Sequence, residues 1–182
     1  MNRKGYAMRH LALLTAIAVV ASVGGSIVPA VAAAPAEERL QRIEDHIAIE
    51  RLIMDYGVAL DKRDFDAYSS LFAKNGSWSG SIGTFTGPAA IKAAMLKAFA
   101  GPGSKNIGSN FHVLTNPIID ITGDTATATS KWTFMRMVDN KPVIALAGGY
   151  EDKLIRENGK WKFLARVATN PPPGDSPPAV TK

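Results

Sequence analysis

Cysteine is absent from the 182-residue chain. That excludes disulfides, thiol nucleophiles and thiolate metal sites together. Histidine is scarce, at three residues, and neither H-x-H nor H-E-x-x-H occurs, so a metal is not expected. A phosphate-cradling loop is missing as well. The Gly-rich "GPGSKNIGS" at 101–109 leads into a strand-like run rather than a helix N-terminus, so no nucleotide cofactor is expected. A surplus of one charge is also small. The formal net charge is +5, but Arg3, Lys4 and Arg9 supply three of these charges, and the remaining +2 gives no reason to expect a nucleic-acid partner.

The first residues have a character of their own. Three basic residues precede the apolar run "LALLTAIAVVASV" at 11–23, and "PAVAAAPA" at 29–36 offers cleavage after Ala32 or Ala36. This order is that of a secretory signal peptide. The apolar run is too short to cross a bilayer core of ~30 Å comfortably and is interrupted by Gly24 and Gly25. Residues 1–34 are therefore expected to direct export to the periplasm or beyond, with no stable membrane anchor after cleavage. Residues 35–169 suit one domain able to bury a core without disulfides. The Pro-rich residues 170–182 are expected to be a disordered tail.

Within 35–169 the hydrophobic period changes once. Leu40, Ile43, Ile47, Leu52, Ile53, Tyr56 and Leu60 recur at helical spacing, with Lys62 and Arg63 suited to the negative end of the helix. A short second helix over about 64–73 starts at Asp64, a good N-cap, and "NGSWSGSIGTFTG" reads as turn, short strand, turn. Pro88 opens a third helix that Gly101 ends. After the loop at 101–109, expected to be mobile, alternation takes over in runs at 109–122, 125–138, 142–156 and 160–168. They are separated by "TGD", "DNK" and "ENGK", which are hairpin chemistries. Helices first and an antiparallel meander afterwards predict an α+β fold with three N-terminal helices: a curved antiparallel sheet of four to six strands, the long first helix across its concave side, enclosing an apolar pocket.

Few ionisable groups can serve such a pocket. His46, beside Glu44 and Asp45, leans to solvent. His112 shares a strand face with Leu114, Asn116 and Ile118, and reads either as a satisfied core histidine or as a general base near neutral pH. An imidazole base needs a carboxylate that fixes its tautomer and stabilises the imidazolium. Asp61 follows the apolar Val58, Ala59 and Leu60, and reads either as that carboxylate or as a helix-terminal turn residue. Arg166 shares an alternating face with Leu164 and Lys162, which leaves its direction open. Tyr56 is either core or a pocket hydroxyl. Candidate pocket walls are Trp78, Phe111, Leu114, Trp132, Phe134 and Met135.

The stretches "AIERLIMDYGVALDKRDFDAYSSLF", "GTFTGPAAI", "NFHVLTNPIID" and "GGYEDKLIRENGKWKFLAR" resemble the SnoaL-like branch of the nuclear transport factor 2-like superfamily over about residues 38–168. In its ionisable residues the chain is similar to scytalone dehydratase, hexachlorocyclohexane dehydrochlorinase and bile acid 7α-dehydratase. The resemblance implies a cone-shaped sheet and a cofactor-independent lyase performing β-elimination on a small apolar, steroid- or polycyclic-like substrate. In it His112 abstracts a proton, Asp61 orients and charges His112, Arg166 assists the leaving group and Tyr56 donates a hydroxyl. Tyr150 falls at a pocket position of the family. Five residues span ~140° of a straight helix, so Tyr56 and Asp61 converge only if the helix unwinds near residue 60. The resemblance also implies a homo-oligomer formed through the sheet. Two other readings stay open: a ketosteroid-isomerase-type isomerase, with a carboxylate base, and a non-catalytic periplasmic module that binds a hydrophobic ligand.

Overall fold

A computed structural model of the chain describes residues 35–101 and 110–170. The expected signal peptide, the loop at 102–109 and the tail from 171 onward lie outside the described residues. The described residues belong to one compact unit. Its elements run α1 (Ala36–Lys62), α2 (Phe65–Ser70), β1 (Phe72–Gly80), β2 (Gly83–Thr86), α3 (Pro88–Ala98), β3 (Phe111–Thr122), β4 (Thr125–Val138), β5 (Lys141–Glu157) and β6 (Lys160–Thr169). The six strands form one sheet in the order β2-β1-β6-β5-β4-β3. The fold is α+β, as the change of period predicts. Every junction is antiparallel except β1 with β6, which run parallel.

Local chemistry accounts for most of the boundaries. Asp64 caps α2 by accepting the Ala67 N–H at 2.9 Å. The helix stops at Ser70, short of the expected residue 73, because Phe72 is already paired with Phe163 of β6. α1 ends where Arg63 turns left-handed, φ 58°, and its N–H reaches the carbonyls of Ala59 and Leu60. Asp139 and Asn140 (φ 50° and 56°) and Asn158 and Gly159 (φ 52° and 75°) supply the positive φ pairs that tight hairpins demand.

Bulges decide which side chains face inward, since one extra residue reverses the alternation beyond it. On β3 the register slips between Thr115 and Ile118, at Asn116 with φ 53°. His112 and Leu114 therefore share the inner face with Ile119 and Ile121, whereas Ile118, expected beside His112, is 66% exposed. On β6 Leu164 is the extra residue, because Leu154 pairs with Phe163 while Lys153 pairs with Ala165. The slip puts Arg166 on the same face as Trp161 and Phe163, all three buried.

α1 lies against this inner face, touching β3 and β6. Leu52, Ile53, Tyr56 and Leu60 are buried as their spacing predicts, but Leu40, Ile43 and Ile47 are 57%, 56% and 60% exposed. The first half of α1 instead turns Asp45 and Ile49 inward. Asp45 is buried yet fully engaged. It accepts from Arg156 Nη2 at 2.6 Å, Trp161 Nε1 at 3.0 Å and Gln41 Nε2 at 3.2 Å. Arg156 also lies over the Trp161 ring, 4.6 Å from its centroid. Two glycines permit close approach elsewhere. A Cβ at Gly148 would meet the Thr169 carbonyl at 1.9 Å and the Trp132 ring at 2.7 Å, and one at Gly57 would meet Leu114 Cδ1 at 2.7 Å.

Burial alone would raise the Asp45 pKa, but the bonds from Arg156, Trp161 and Gln41 prevail and hold it below the ordinary value. A depressed folded pKa contributes stability that is complete above the unfolded value of ~3.9 and is lost as pH falls through the folded value. Asp45→Asn is expected to cost about 1.5–3 kcal/mol at neutral pH. Urea unfolding between neutral pH and pH ~2 checks this, since the loss of stability below pH ~4 should be shallower in the variant.

Candidate active site

Asp61 is the last-turn carboxylate of α1, and it serves β3 rather than its own helix. Its Oδ2 accepts the backbone N–H of His112 at 2.9 Å, and its Oδ1 lies 2.6 Å from His112 Nδ1. The two side chains are 21% and 12% exposed. Of the two readings of Asp61, the turn role belongs to Arg63, whose N–H and Nη1–H both reach Leu60 O. A carboxylate on Nδ1 requires the hydrogen there, which leaves the Nε2 lone pair free to act as a base. His112 lines a pocket of about 290 Å³. Its ring lies 4.8 Å from Phe134 and 6.3 Å from Trp132, centroid to centroid.

Three tyrosines, Tyr56, Tyr68 and Tyr150, line the same pocket. The Tyr56 hydroxyl accepts from Tyr68 Oη at 2.8 Å and from Trp78 Nε1 at 3.0 Å. With both lone pairs engaged, the Tyr56 hydroxyl keeps its own hydrogen for donation, and Tyr150 also shares a hydrogen bond with it. Tyr150 meets the Tyr56 ring edge-on at 5.4 Å. Burial, reinforced by Tyr56, lifts the Tyr68 and Tyr150 pKa values well above the ordinary phenol range, and Arg166 opposes the shift. α1 does not unwind near residue 60. Tyr56 and Asp61 stay on different sides of it, and His112 connects them by reaching Asp61 while lining the pocket that Tyr56 also lines.

Arg166 is fully buried and is not among the residues lining this pocket. Its Nε and Nη2 donate to the Asp152 oxygens at 2.8 and 2.7 Å. Its guanidinium carbon lies 4.1, 4.2 and 4.1 Å from the ring centroids of Tyr56, Tyr150 and Phe163. Burial pulls the Arg166 pKa down, but Asp152 outweighs it and keeps the group charged. The direction that the alternation left open is thus inward, and tyrosine rings stand between the guanidinium and the pocket.

Trp78, Trp132, Phe134 and Tyr150 line the pocket as expected, and three other expected walls do not. Phe111 is 42% exposed on the outer face, and Met135, its partner across the β3–β4 ladder, lies on that face too. Leu114 faces inward but packs against Gly57 of α1, away from the pocket lining. Sequence reasoning missed Tyr68, Phe99 and Met95 as lining residues and Asp152 as the partner of Arg166. The signal for Asp152 was present, since "YED" places it two residues from Tyr150 on the same strand face. No Lys, Arg, Asp or Glu lines the pocket among the described residues. Nor does any group of three His, Asp or Glu among them suit a metal ion.

Fold and pocket together define a small α+β domain with an Asp–His pair whose histidine lines an apolar pocket. The SnoaL-like domain family matches residues 41–167, and the chain belongs to that family. An uncharacterized protein of Mycobacterium tuberculosis is 27% identical over 131 residues, covering 70% of this chain and 86% of its own length. A nuclear transport factor 2-like protein with a cystatin-like fold from Novosphingobium aromaticivorans superposes with TM-score 0.66 at 25% identity, covering 79% of this chain and 90% of its own. A putative scytalone dehydratase from the same organism gives TM-score 0.57 at 24% identity, over 72% and 87% of the two chains. The hexachlorocyclohexane dehydrochlorinase LinA-type3 of Novosphingobium barchaimii gives 0.60 at 20%, over 73% and 90%.

The buried pair sets a stability test. Asp152→Asn leaves a buried guanidinium without its counter-charge and is expected to cost about 3–5 kcal/mol, whereas the Arg166→Met, Asp152→Leu double variant is expected to stay near wild type. Guanidinium chloride unfolding of the three proteins measures the difference.

Proposed function

We propose that this SnoaL-like protein is a cofactor-independent lyase that catalyses β-elimination, of the dehydratase or dehydrohalogenase type, on a small apolar substrate. One observation carries the reading: Asp61 holds both the backbone and Nδ1 of His112, and His112 lines a pocket that has no charged wall residue among the described residues, which leaves Nε2 as its base. His112 Nε2 takes a proton from a substrate carbon. The electrons of that C–H bond become the new double bond, and the leaving group departs from the adjacent carbon with its own bonding pair. Asp61 stabilises the imidazolium so formed. The Tyr56 hydroxyl donates to the developing negative charge on the leaving group or on a conjugated oxygen. The likeness in fold to a putative scytalone dehydratase and to a dehydrochlorinase is consistent with this chemistry.

The proposal includes export. Residues 1–34 act as a cleavable signal and residues 170–182 as a tail, so the substrate is met outside the cytoplasm. Sequencing the N-terminus of the protein recovered from the periplasm checks this part.

The reaction is tested by incubating wild-type, His112→Ala and Asp61→Asn proteins with a metabolite extract and profiling the products. Wild type should deplete a compound and yield one lighter by water or a hydrogen halide, with both variants slower by about 10²–10⁴. Folded variants that turn the same compound over at the wild-type rate would end the reading.

A further inference from the structure

The mechanism as written leaves Arg166 without a task, although the fold spends a fully buried ion pair on it. Three observations bear on what that pair does. The guanidinium lies against the ring faces of Tyr56 and Tyr150, both of which line the pocket, while it does not line the pocket itself. Asp152 grips it along the Nε and Nη2 edge, and Nη1 has no hydrogen-bond partner among the described residues. The positive member of the pair therefore stands nearest the tyrosines, with little water to screen it. Tyr56 in turn has both lone pairs engaged by Tyr68 and Trp78.

We propose that Arg166 is a positioning residue that acts through Tyr56 and Tyr150, making their hydroxyls the groups of this pocket that stabilise a developing anion. This rests on the pocket reading above and assigns the anion to the tyrosines that line the pocket together with His112. A cation behind a phenol strengthens it as a donor when negative charge grows in front of it, and a buried cation needs no rearrangement as that happens. The direction agrees with the downward pull of Arg166 on the Tyr68 and Tyr150 titrations. It also accounts for the buried carboxylate. Asp152 keeps the guanidinium charged and fixed, and a lysine could not be gripped by two parallel bonds along one edge in that way.

The test is direct binding of 4-nitrophenol, whose phenolate and phenol forms absorb at different wavelengths, with nitrobenzene as the neutral control. Wild type should bind the phenolate preferentially, so that the bound probe titrates at lower pH than the free one. In the Arg166→Met, Asp152→Leu protein the phenolate preference should fall on the order of tenfold, with nitrobenzene affinity unchanged. Arg166→Gln with Asp152→Asn removes both charges while keeping polar side chains, and should give the same loss. Tyr56→Phe should reproduce it too, because the effect runs through that hydroxyl. A wild-type protein that binds no phenolate or shows no downward shift overturns the proposal. So does either charge-free double variant that retains the shift. The readout needs no turnover. A phenolate preference lost with Arg166 would stand even if no elimination were found, and elimination in its absence would sink this proposal alone.

Discussion

Burying a guanidinium is the constraint around which this domain is arranged. A charge placed in the core survives only if it is paired and if its remaining surface meets something better than bare hydrocarbon. Arg166 meets both conditions: Asp152 bonds two of its nitrogens and three aromatic faces cover its plane. Those partners come from different elements. Asp152 and Tyr150 lie on β5, Phe163 on β6 with Arg166 itself, and Tyr56 on α1. One ion pair thus ties the long helix to the middle of the sheet at the level where the pocket begins. Face-on contact with aromatic rings adds roughly 0.5–2 kcal/mol in such desolvated settings, so the same contacts orient the tyrosines and help offset the cost of burial.

A second carboxylate does comparable work at the sheet's edge. β3 is an outer strand of the six and follows the segment 102–109. Near its start it is fastened by Asp61, which takes both the main-chain N–H and the ring of His112. The backbone bond places the residue and the ring bond fixes its tautomer, so position and protonation are set by one group. Asp45 plays a structural counterpart farther back on α1, joining Arg156 and Trp161 without touching the pocket. The three carboxylates share a logic: each has both oxygens occupied by protein donors.

The order of elements was legible in the sequence because it depends on local signals. The change from helical to alternating period, Asp64 as a cap, Pro88 as a helix start and the Asn/Gly hairpins all act within a few residues. Strand faces were legible only as far as the next bulge. His112 precedes the slip on β3 and its inward direction could be read, whereas Ile118 follows it and was read on the wrong side. Arg166 follows the extra residue Leu164, so a pattern that placed it beside Lys162 could not reveal its burial. The exposed half of α1 failed for a different reason. Leu40, Ile43 and Ile47 have sound helical spacing, yet the helix turns that stripe away because Asp45 opposite finds partners from β5 and β6. Only tertiary context distinguishes two candidate faces on one helix. Asp61 could be read as the carboxylate for His112 because it follows an apolar run, but at 51 residues' separation no periodicity decided the pairing, and the family resemblance favoured it.

The charge map of the pocket also separates the enzymatic readings. An isomerase of the ketosteroid type works with a carboxylate base that reaches the substrate. No Asp or Glu lines this pocket among the described residues, and the carboxylate bonded to His112, Asp61, has both oxygens committed to it. On the proposed elimination, a proton leaving the substrate would go to imidazole, and the imidazolium paired with Asp61 would return it to a departing hydroxide or to solvent, with the developing anion met by the tyrosine hydroxyls of the same pocket. The two halves of the site are built from charges that stand behind neutral groups, Asp61 behind His112 and Arg166 behind Tyr56 and Tyr150. Such an arrangement admits an apolar ligand without the cost of desolvating an ion in its path, and it brings the electrostatics into play only as charge develops.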